Sequence, residues 1–177
     1  MILNVRALGP ADENALRNFF EAIPDRDRTF FKEDLDELAV LRRWFDEKGG
    51  VRLVAIGDNA GLDAVAAVRP GTGRSRHVGD LRLIVAPDRR RRGIGQLMAR
   101  RALVCALRCG MWKISVEVIA HHQPTIDMFL ALGFIPEALL RDQLCSPNGE
   151  RQDLVLLSHF AEEAGDDLLV AAPDDAQ

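Results

Sequence analysis

The run Arg90-Arg91-Arg92-Gly93-Ile94-Gly95 holds the residues with the clearest chemical potential in this chain. It lies between an apolar stretch, Leu81 to Val85, and a helical pattern that opens after Gly95. The two glycines remove Cβ atoms where a ligand must approach the backbone. The N–H groups of such a turn converge with those of the following helix N-terminus. A site of this kind suits a polyphosphate, with Arg90, Arg91 and Arg92 able to reach its rim as charge-assisted donors. The same hexapeptide also reads as an ordinary strand-to-helix turn with solvated arginines. Two other phosphate-binding loops are excluded. A nucleoside-triphosphate loop needs Gly-Lys followed by Ser or Thr, and here Gly95 is followed by Gln96. A dinucleotide fingerprint needs a third glycine where this chain has Met98. The three cysteines, Cys105, Cys109 and Cys145, lack metal-finger spacing and are expected to be buried, reduced thiols of a cytoplasmic protein.

The elements that must hold this loop alternate between strand and helix patterns. Ile2 to Ala7 reads as a strand, and Gly9-Pro10-Ala11-Asp12 opens a helix with an early proline and an acid in its first turn. Leu16, Phe19, Phe20 and Ile23 form its apolar stripe, and Pro24 stops it. A second helix is expected from about Leu35 to Glu47, ended by Gly49-Gly50. Val51 to Ile56 and Leu62 to Val68 read as a hairpin, and Arg69 to His77 as a polar loop. Leu81 to Val85 is the next strand, and the helix after Gly95 runs to about Cys109. Lys113 to Ile119 alternates Ile114, Val116 and Val118 on one face with Ser115 and Glu117 on the other. A short helix follows Pro124 with Ile126, Phe129 and Leu130 inward. Phe134 to Asp142 and Gln152 to Leu157 close the pattern as two strands joined by a turn at Ser146-Pro147-Asn148-Gly149.

Arg90-x-x-Gly93-x-Gly95 between a strand and a helix resembles the acyl-CoA pyrophosphate loop of the GNAT superfamily of N-acetyltransferases, whose motif is Gln/Arg-x-x-Gly-x-Gly/Ala. Lys113 to Ile119 falls where that family has its fifth strand. His121 to Phe134, ending Leu132-Gly133-Phe134, is similar to the family's Asn-x-x-Ala-x-x-x-Tyr-x-x-x-Gly-Phe segment. Arg141-Asp142, Asn148-Gly149 and Asp153 resemble its closing hairpin, and Pro10, Asp12 and Leu16 suit its N-terminus. The resemblance spans residues 1–160 as one domain and leaves 161–177 as an acidic tail expected to be mobile.

The resemblance implies an α/β (α+β) fold with a mixed, mostly antiparallel sheet of about six to seven strands flanked by helices. It implies direct transfer of an acetyl group from acetyl-CoA, as co-substrate, to a primary amine such as a protein lysine, an amino acid or another small amine. No metal is expected, and a homodimer is compatible with it. CoA contacts are implied for Leu83, Ile84 and Val85, for the loop from Arg90, Arg91 and Arg92 through Gly93, Ile94 and Gly95 to Gln96, and for His122 and Phe129. Backbone N–H groups around Leu83 to Val85 would stabilise the oxyanion. A base must deprotonate the amine. The candidates are Asp80, near the position where protein-lysine acetyltransferases of this superfamily carry a Glu, and Glu117 in the following strand. Both could also be ordinary exposed strand acids. His121 and His122 read either as capping or surface residues or, for His122, as a CoA contact.

Two departures stand out. Phe129 falls where many relatives carry a Tyr that protonates the leaving thiolate, and the chain contains no Tyr at all. His122 falls where the family's CoA-contacting Asn stands, and Thr125 replaces its Ala. These losses motivate a second reading, a non-catalytic acyl-CoA-binding regulatory domain.

Composition bounds the remaining choices. A chain of 177 residues that is 47% hydrophobic and 28% charged folds as one domain with a buried core. No stretch approaches the ~20 apolar residues of a membrane span, and the N-terminal residues do not read as a secretory signal. The net charge is −4, but Ala161 to Gln177 holds six acids and no Lys or Arg, so the rest of the chain stands at +2. A nucleic-acid role for Arg89 to Arg92, Arg100, Arg101 and Arg108 lacks both a domain-wide basic footprint and interleaved aromatics. The acceptor edge implied by the resemblance holds Phe30, Phe31, Glu33, Asp34, Asp36 and Glu37, whose acids suit a cationic amine or simply form a solvated helix face.

Overall fold

The computed structural model describes residues 3–24, 27, 49–57, 61–145 and 149–161. The helix expected over Leu35 to Glu47, the acidic edge from Phe30 to Glu37, residues 146–148 of the closing turn and the tail after Ala161 lie outside the described residues.

Seven strands form one sheet: β1 (Asn4–Ala7), β2 (Val51–Ile56), β3 (Leu62–Pro70), β4 (Val78–Val85), β5 (Lys113–Ile119), β6 (Ile135–Cys145) and β7 (Arg151–Phe160). Their order is β1-β2-β3-β4-β5-β7-β6. Every neighbouring pair is antiparallel except β4 and β5. Three α-helices are described, α1 (Glu13–Glu21), α2 (Ile94–Arg108) and α3 (Gln123–Ala131). The parallel β4–β5 pair follows from the chain between them, because a parallel neighbour requires a long crossover and α2 supplies it.

The apolar patterning sets the layers. Central β3 is buried from Leu62 to Val68 without a break, as expected of a strand covered on both faces. On one face Ala64, Ala66 and Val68 pack with Met98, Ala102 and Leu103 of α2. On the other, Val65 and Ala67 pack with Leu16, Phe19 and Phe20 of α1. Strand β5 alternates as its sequence requires, with Ile114, Val116 and Val118 buried in the α2 layer and Ser115 and Glu117 on the opposite face. The entry to α1 is tied by Asp12, whose carboxylate accepts bonds from Arg6 Nη1 and Nη2, each at 2.7 Å, and from the Gly9 N–H at 2.8 Å.

Three local expectations need correction. Strand β4 begins at Val78, before its apolar run, because Gly79 and Asp80 pair with β3 on one side and β5 on the other. Leu130 points outward at 40% exposure, since Ile126 and Phe129 already occupy the buried face of α3. Cys109 and Cys145 are exposed and Cys105 is half-buried, because Cys109 lies beyond the last packed turn of α2 and Cys145 ends edge strand β6.

Candidate active site

The sheet opens between its two parallel strands. Pairing of β4 with β5 covers only Val78, Gly79 and Asp80 against Lys113, Ile114 and Ser115. Beyond that point β4 stays with β3 as far as Val85, while β5 stays with β7 as far as Ile119. The strands diverge, and the gap is a cavity of about 450 Å³. Its walls are Leu81 to Val85, Val116 to Ile119, the start of α2 and, from α3, Met128 and Phe129. Among the described residues, the β4 edge facing the gap has no strand partner after Asp80. Strand pairing thus leaves this edge open toward the cavity, with the Val85 carbonyl accepting from Arg90 Nε instead.

The loop from β4 to α2 is shaped by its backbone. Arg90 is extended, Arg91 is left-handed with φ 62°, and Gly93 is left-handed with φ 78° and ψ −3°. Gly93 caps α2 without a side-chain bond, so the N–H groups of its first turn face the cavity mouth. A Cβ on Gly95 would meet Met128 Sδ and Val85 Cγ2, both at 3.6 Å, so the missing side chain leaves open space in the cavity wall. Arg90 turns inward: its Nε donates to the Val85 carbonyl at 3.1 Å, and its Nη2 pairs with Asp27. Arg89 pairs with buried Asp63 of β3 at 3.2 Å and so fastens the loop to the sheet.

Charge gathers where the strands part. Asp80, Arg82 and Glu117 lie on the sheet face opposite α2, with Arg82 between the two acids. Arg82 donates from Nε and Nη2 to one Asp80 oxygen at 3.0 and 2.8 Å, while its Nη1 stands 3.7 Å from Glu117 Oε2. The Asp80 side chain is 47% exposed, whereas those of Arg82 and Glu117 are 10% and 13% exposed. At the other end of the cavity, His122 precedes α3 and its Nδ1 lies 2.8 Å from Thr125 Oγ1. Phe129 is buried, edge-on to Phe134 with ring centroids 5.1 Å apart.

A family model described as acetyltransferase (GNAT) family matches residues 16–134. The chain belongs to the GNAT acetyltransferase family. No curated protein sequence matches it. Among solved structures, a ribosomal-protein-alanine N-acetyltransferase from Brucella melitensis is similar, with TM-score 0.77 and 20% identity over 89% of this chain and 99% of that one. A spermidine N-acetyltransferase from Vibrio cholerae, in complex with CoA and spermine, has TM-score 0.74 and 20% identity over 90% of this chain and 96% of that one. YncA from Salmonella typhimurium, described as an acetyltransferase with its cofactor acetyl-CoA, has TM-score 0.74 and 19% identity over 98% and 99% of the two chains.

In this GNAT acetyltransferase the loop residues Arg90, Arg91, Gly93, Ile94, Gly95 and Gln96 line the cavity, as do Leu83, Ile84 and Val85. Glu117, His122 and Phe129 also line it. Arg92 and Asp80 do not, although Asp80 reaches the cavity through Arg82. Sequence reasoning missed Arg82, Arg89 and Met128. Arg82 had a legible signal, a charged residue inside the apolar run Leu81 to Val85 and two places from Asp80, hence on the same strand face. Arg89 stood out only as part of the arginine run Arg89 to Arg92, not for its bond to Asp63, and Met128 had no signal, because their partners are distant in sequence. Among the described residues no helix is long and apolar enough to cross a membrane, and no group of three or more acidic, His or Cys side chains could hold a metal ion.

Proposed function

We propose that this enzyme transfers an acetyl group from acetyl-CoA directly to a primary amine. The observation that carries this reading is the uncapped start of α2 opening onto a gap in the sheet whose wall includes Glu117, a carboxylate with 13% side-chain exposure. The residues present fit acetyl-CoA: converging N–H groups and Arg91 suit its phosphates, and the unpaired β4 edge suits its extended arm. Acetyl-CoA supplies the activated acetyl group. Backbone N–H groups of Leu83 to Val85 would stabilise negative charge on the carbonyl oxygen. Asp80 and Glu117 are the candidate bases, and Glu117 is the one on the cavity wall. Phe129 has no hydroxyl to donate, so the thiolate leaves unaided or takes its proton from water. The acceptor is a cationic amine, small or on a protein, and neither nucleic acid nor a membrane is part of the reaction.

The test is acetylation of a panel comprising spermidine, free amino acids and a lysine-containing peptide, followed by mass spectrometry. At least one member should gain an acetyl group. Glu117→Gln should then lower kcat by about 10²–10⁴-fold while leaving acetyl-CoA binding near that of the parent protein. Acetyl-CoA binding with no amine acetylated would overturn the reading.

A further inference from the structure

We propose that the acidic segment 162–177, which lies outside the described residues, docks on an aromatic and basic platform at the end of the sheet where β7 releases it. Three parts of the chain build that platform, stitched together through their backbones. The N–H groups of Trp112 and Lys113 donate to the His77 carbonyl at 3.0 and 3.2 Å, and the Ala161 N–H donates to the Trp112 carbonyl at 2.8 Å. The starts of β4 and β5 and the end of β7 are thereby held at one place, and the chain leaves the sheet beside Trp112. The Trp112 indole stacks on the His77 imidazole, with ring centroids 4.4 Å apart and an interplanar angle of 11°. Even so, Trp112 is 45% exposed. Its neighbour Lys113 is engaged by the Glu137 carboxylate at 2.8 Å and by the Phe160 ring at 5.1 Å.

The chemistry and reach of the segment make it the occupant. An indole left this open favours an apolar cover, and Leu168-Leu169-Val170 supplies one. Leu168 stands seven residues beyond Ala161, a length that spans at most roughly 25 Å when extended. The apolar triplet therefore reaches back easily to a platform that begins at Ala161 itself. The charges match as well. Arg74 and Arg76 precede His77, and Arg108 ends α2 four residues before Trp112; all three are exposed. Glu162, Glu163, Asp166 and Asp167 stand between Ala161 and the triplet, and no Lys or Arg follows Ala161. Tethering beside the platform gives an effective concentration on the order of mM, so contacts too weak to capture a separate partner suffice. The cavity opens beyond Asp80, toward the other end of β4. Docking thus covers the joined end of β4 and β5 and leaves the gap between them free.

The experiment is acrylamide quenching of Trp112 fluorescence in the full chain. Trp44→Phe leaves Trp112 as the sole tryptophan and serves as the parent for every variant. Leu168→Ser/Leu169→Ser should raise the quenching constant about 2-fold, as the ring face away from His77 opens to solvent. Glu162→Gln/Glu163→Gln/Asp166→Asn/Asp167→Asn should raise it as well. Salt screens exposed charge pairs, so NaCl raised from about 0.05 to about 0.5 M should increase the parent's constant and leave that of the leucine variant unchanged. If Trp44→Phe folds poorly, the indole N–H resonance of Trp112 gives the same comparison in the natural chain, assigned by its loss in Trp112→Phe. It should then shift in both variants. No change in either variant, by quenching or by resonance position, would overturn the proposal. Protection that fades as the protein is diluted would overturn it too, in favour of a second copy of the chain as the occupant.

Discussion

Substitution at Gly95 should move fold stability and ligand binding in opposite directions. A Cβ there meets only Met128 Sδ and Val85 Cγ2 at 3.6 Å, ordinary contact distance, and the backbone is not left-handed. Gly95→Ala therefore introduces no clash and gains about 0.5–1 kcal/mol of helix propensity. Gly95→Glu adds a carboxylate to the first turn of α2, where the helix dipole favours it by about 0.3–1 kcal/mol. Either change should leave the Tm of the free protein level or raise it by about 1–4 °C in a chain of this size. The longer Glu side chain, however, must enter a cavity of about 450 Å³ and place negative charge where the phosphates would lie. Acetyl-CoA at 100 times its Kd should protect the parent protein by about 2.7 kcal/mol, which corresponds to about 5–11 °C. Gly95→Ala should keep most of that protection. Gly95→Glu, if it weakens binding by about 10³-fold, leaves less than about 0.1 kcal/mol, a shift too small to read. Thermal denaturation of the three proteins with and without acetyl-CoA decides the matter. Full protection of Gly95→Glu would mean that the ligand does not use this loop. A fall in the Tm of the unliganded variant would mean that Gly95 is needed by the fold and not by the ligand.

Two further outcomes concern the frame around the site. The hydrogen bonds from Arg6 hold the Asp12 carboxyl below its ordinary range, against the opposing effect of burial, and the Gly9 N–H adds to the lowering. Because the folded-state pKa is depressed, this stabilisation is complete above the ordinary carboxylate range and is lost as pH falls through the folded value. Asp12→Asn should therefore cost about 1–2 kcal/mol at pH 7, with the exposure of Arg6 keeping the figure low. The difference should narrow as pH falls below the ordinary carboxylate range, and parallel urea titrations in a series of decreasing pH would show it; a constant gap would refute the ion-pair account. Phe129→Ala removes a ring that is 2% exposed and seated against Phe134. It should cost about 3–5 kcal/mol, seen as a lower urea midpoint with an unchanged slope, and a loss under about 1 kcal/mol would show that the ring is not part of the core.

Much of the frame was legible from local pattern. Strand β5 matched its expected bounds, Lys113 to Ile119, because strict alternation of apolar and polar residues leaves one register for a half-buried strand. Helix α2 and its glycine-marked start were legible for a similar reason, since Gly93 does take the left-handed conformation that such a turn demands. Where patterns misled, a neighbour had overridden them. Strand β4 was expected to begin at Leu81, yet Val78 to Asp80 are strand because β3 and β5 pair with them from both sides. Leu130 has an apolar side chain on an apolar helix, but Ile126 and Phe129 had already filled the buried face.

The amino-acid sequence by itself determined the identity of the chemical parts: a glycine-marked arginine loop, two candidate acids, and a phenylalanine in place of a phenol. These are properties of residue type and short spacing, and they survive whatever surrounds them. Only the tertiary structure decided which of these parts meet and what holds each one. Arg90 looked like a free rim cation until Asp27, 63 residues away, and the Val85 carbonyl were found to hold it. Asp80 and Glu117 looked equivalent until Arg82 was seen bound closely to one and loosely to the other. The gap that makes a site at all arises because β3 and β7 hold β4 and β5 in diverging directions. That balance of pairings between distant segments cannot be read from either strand alone.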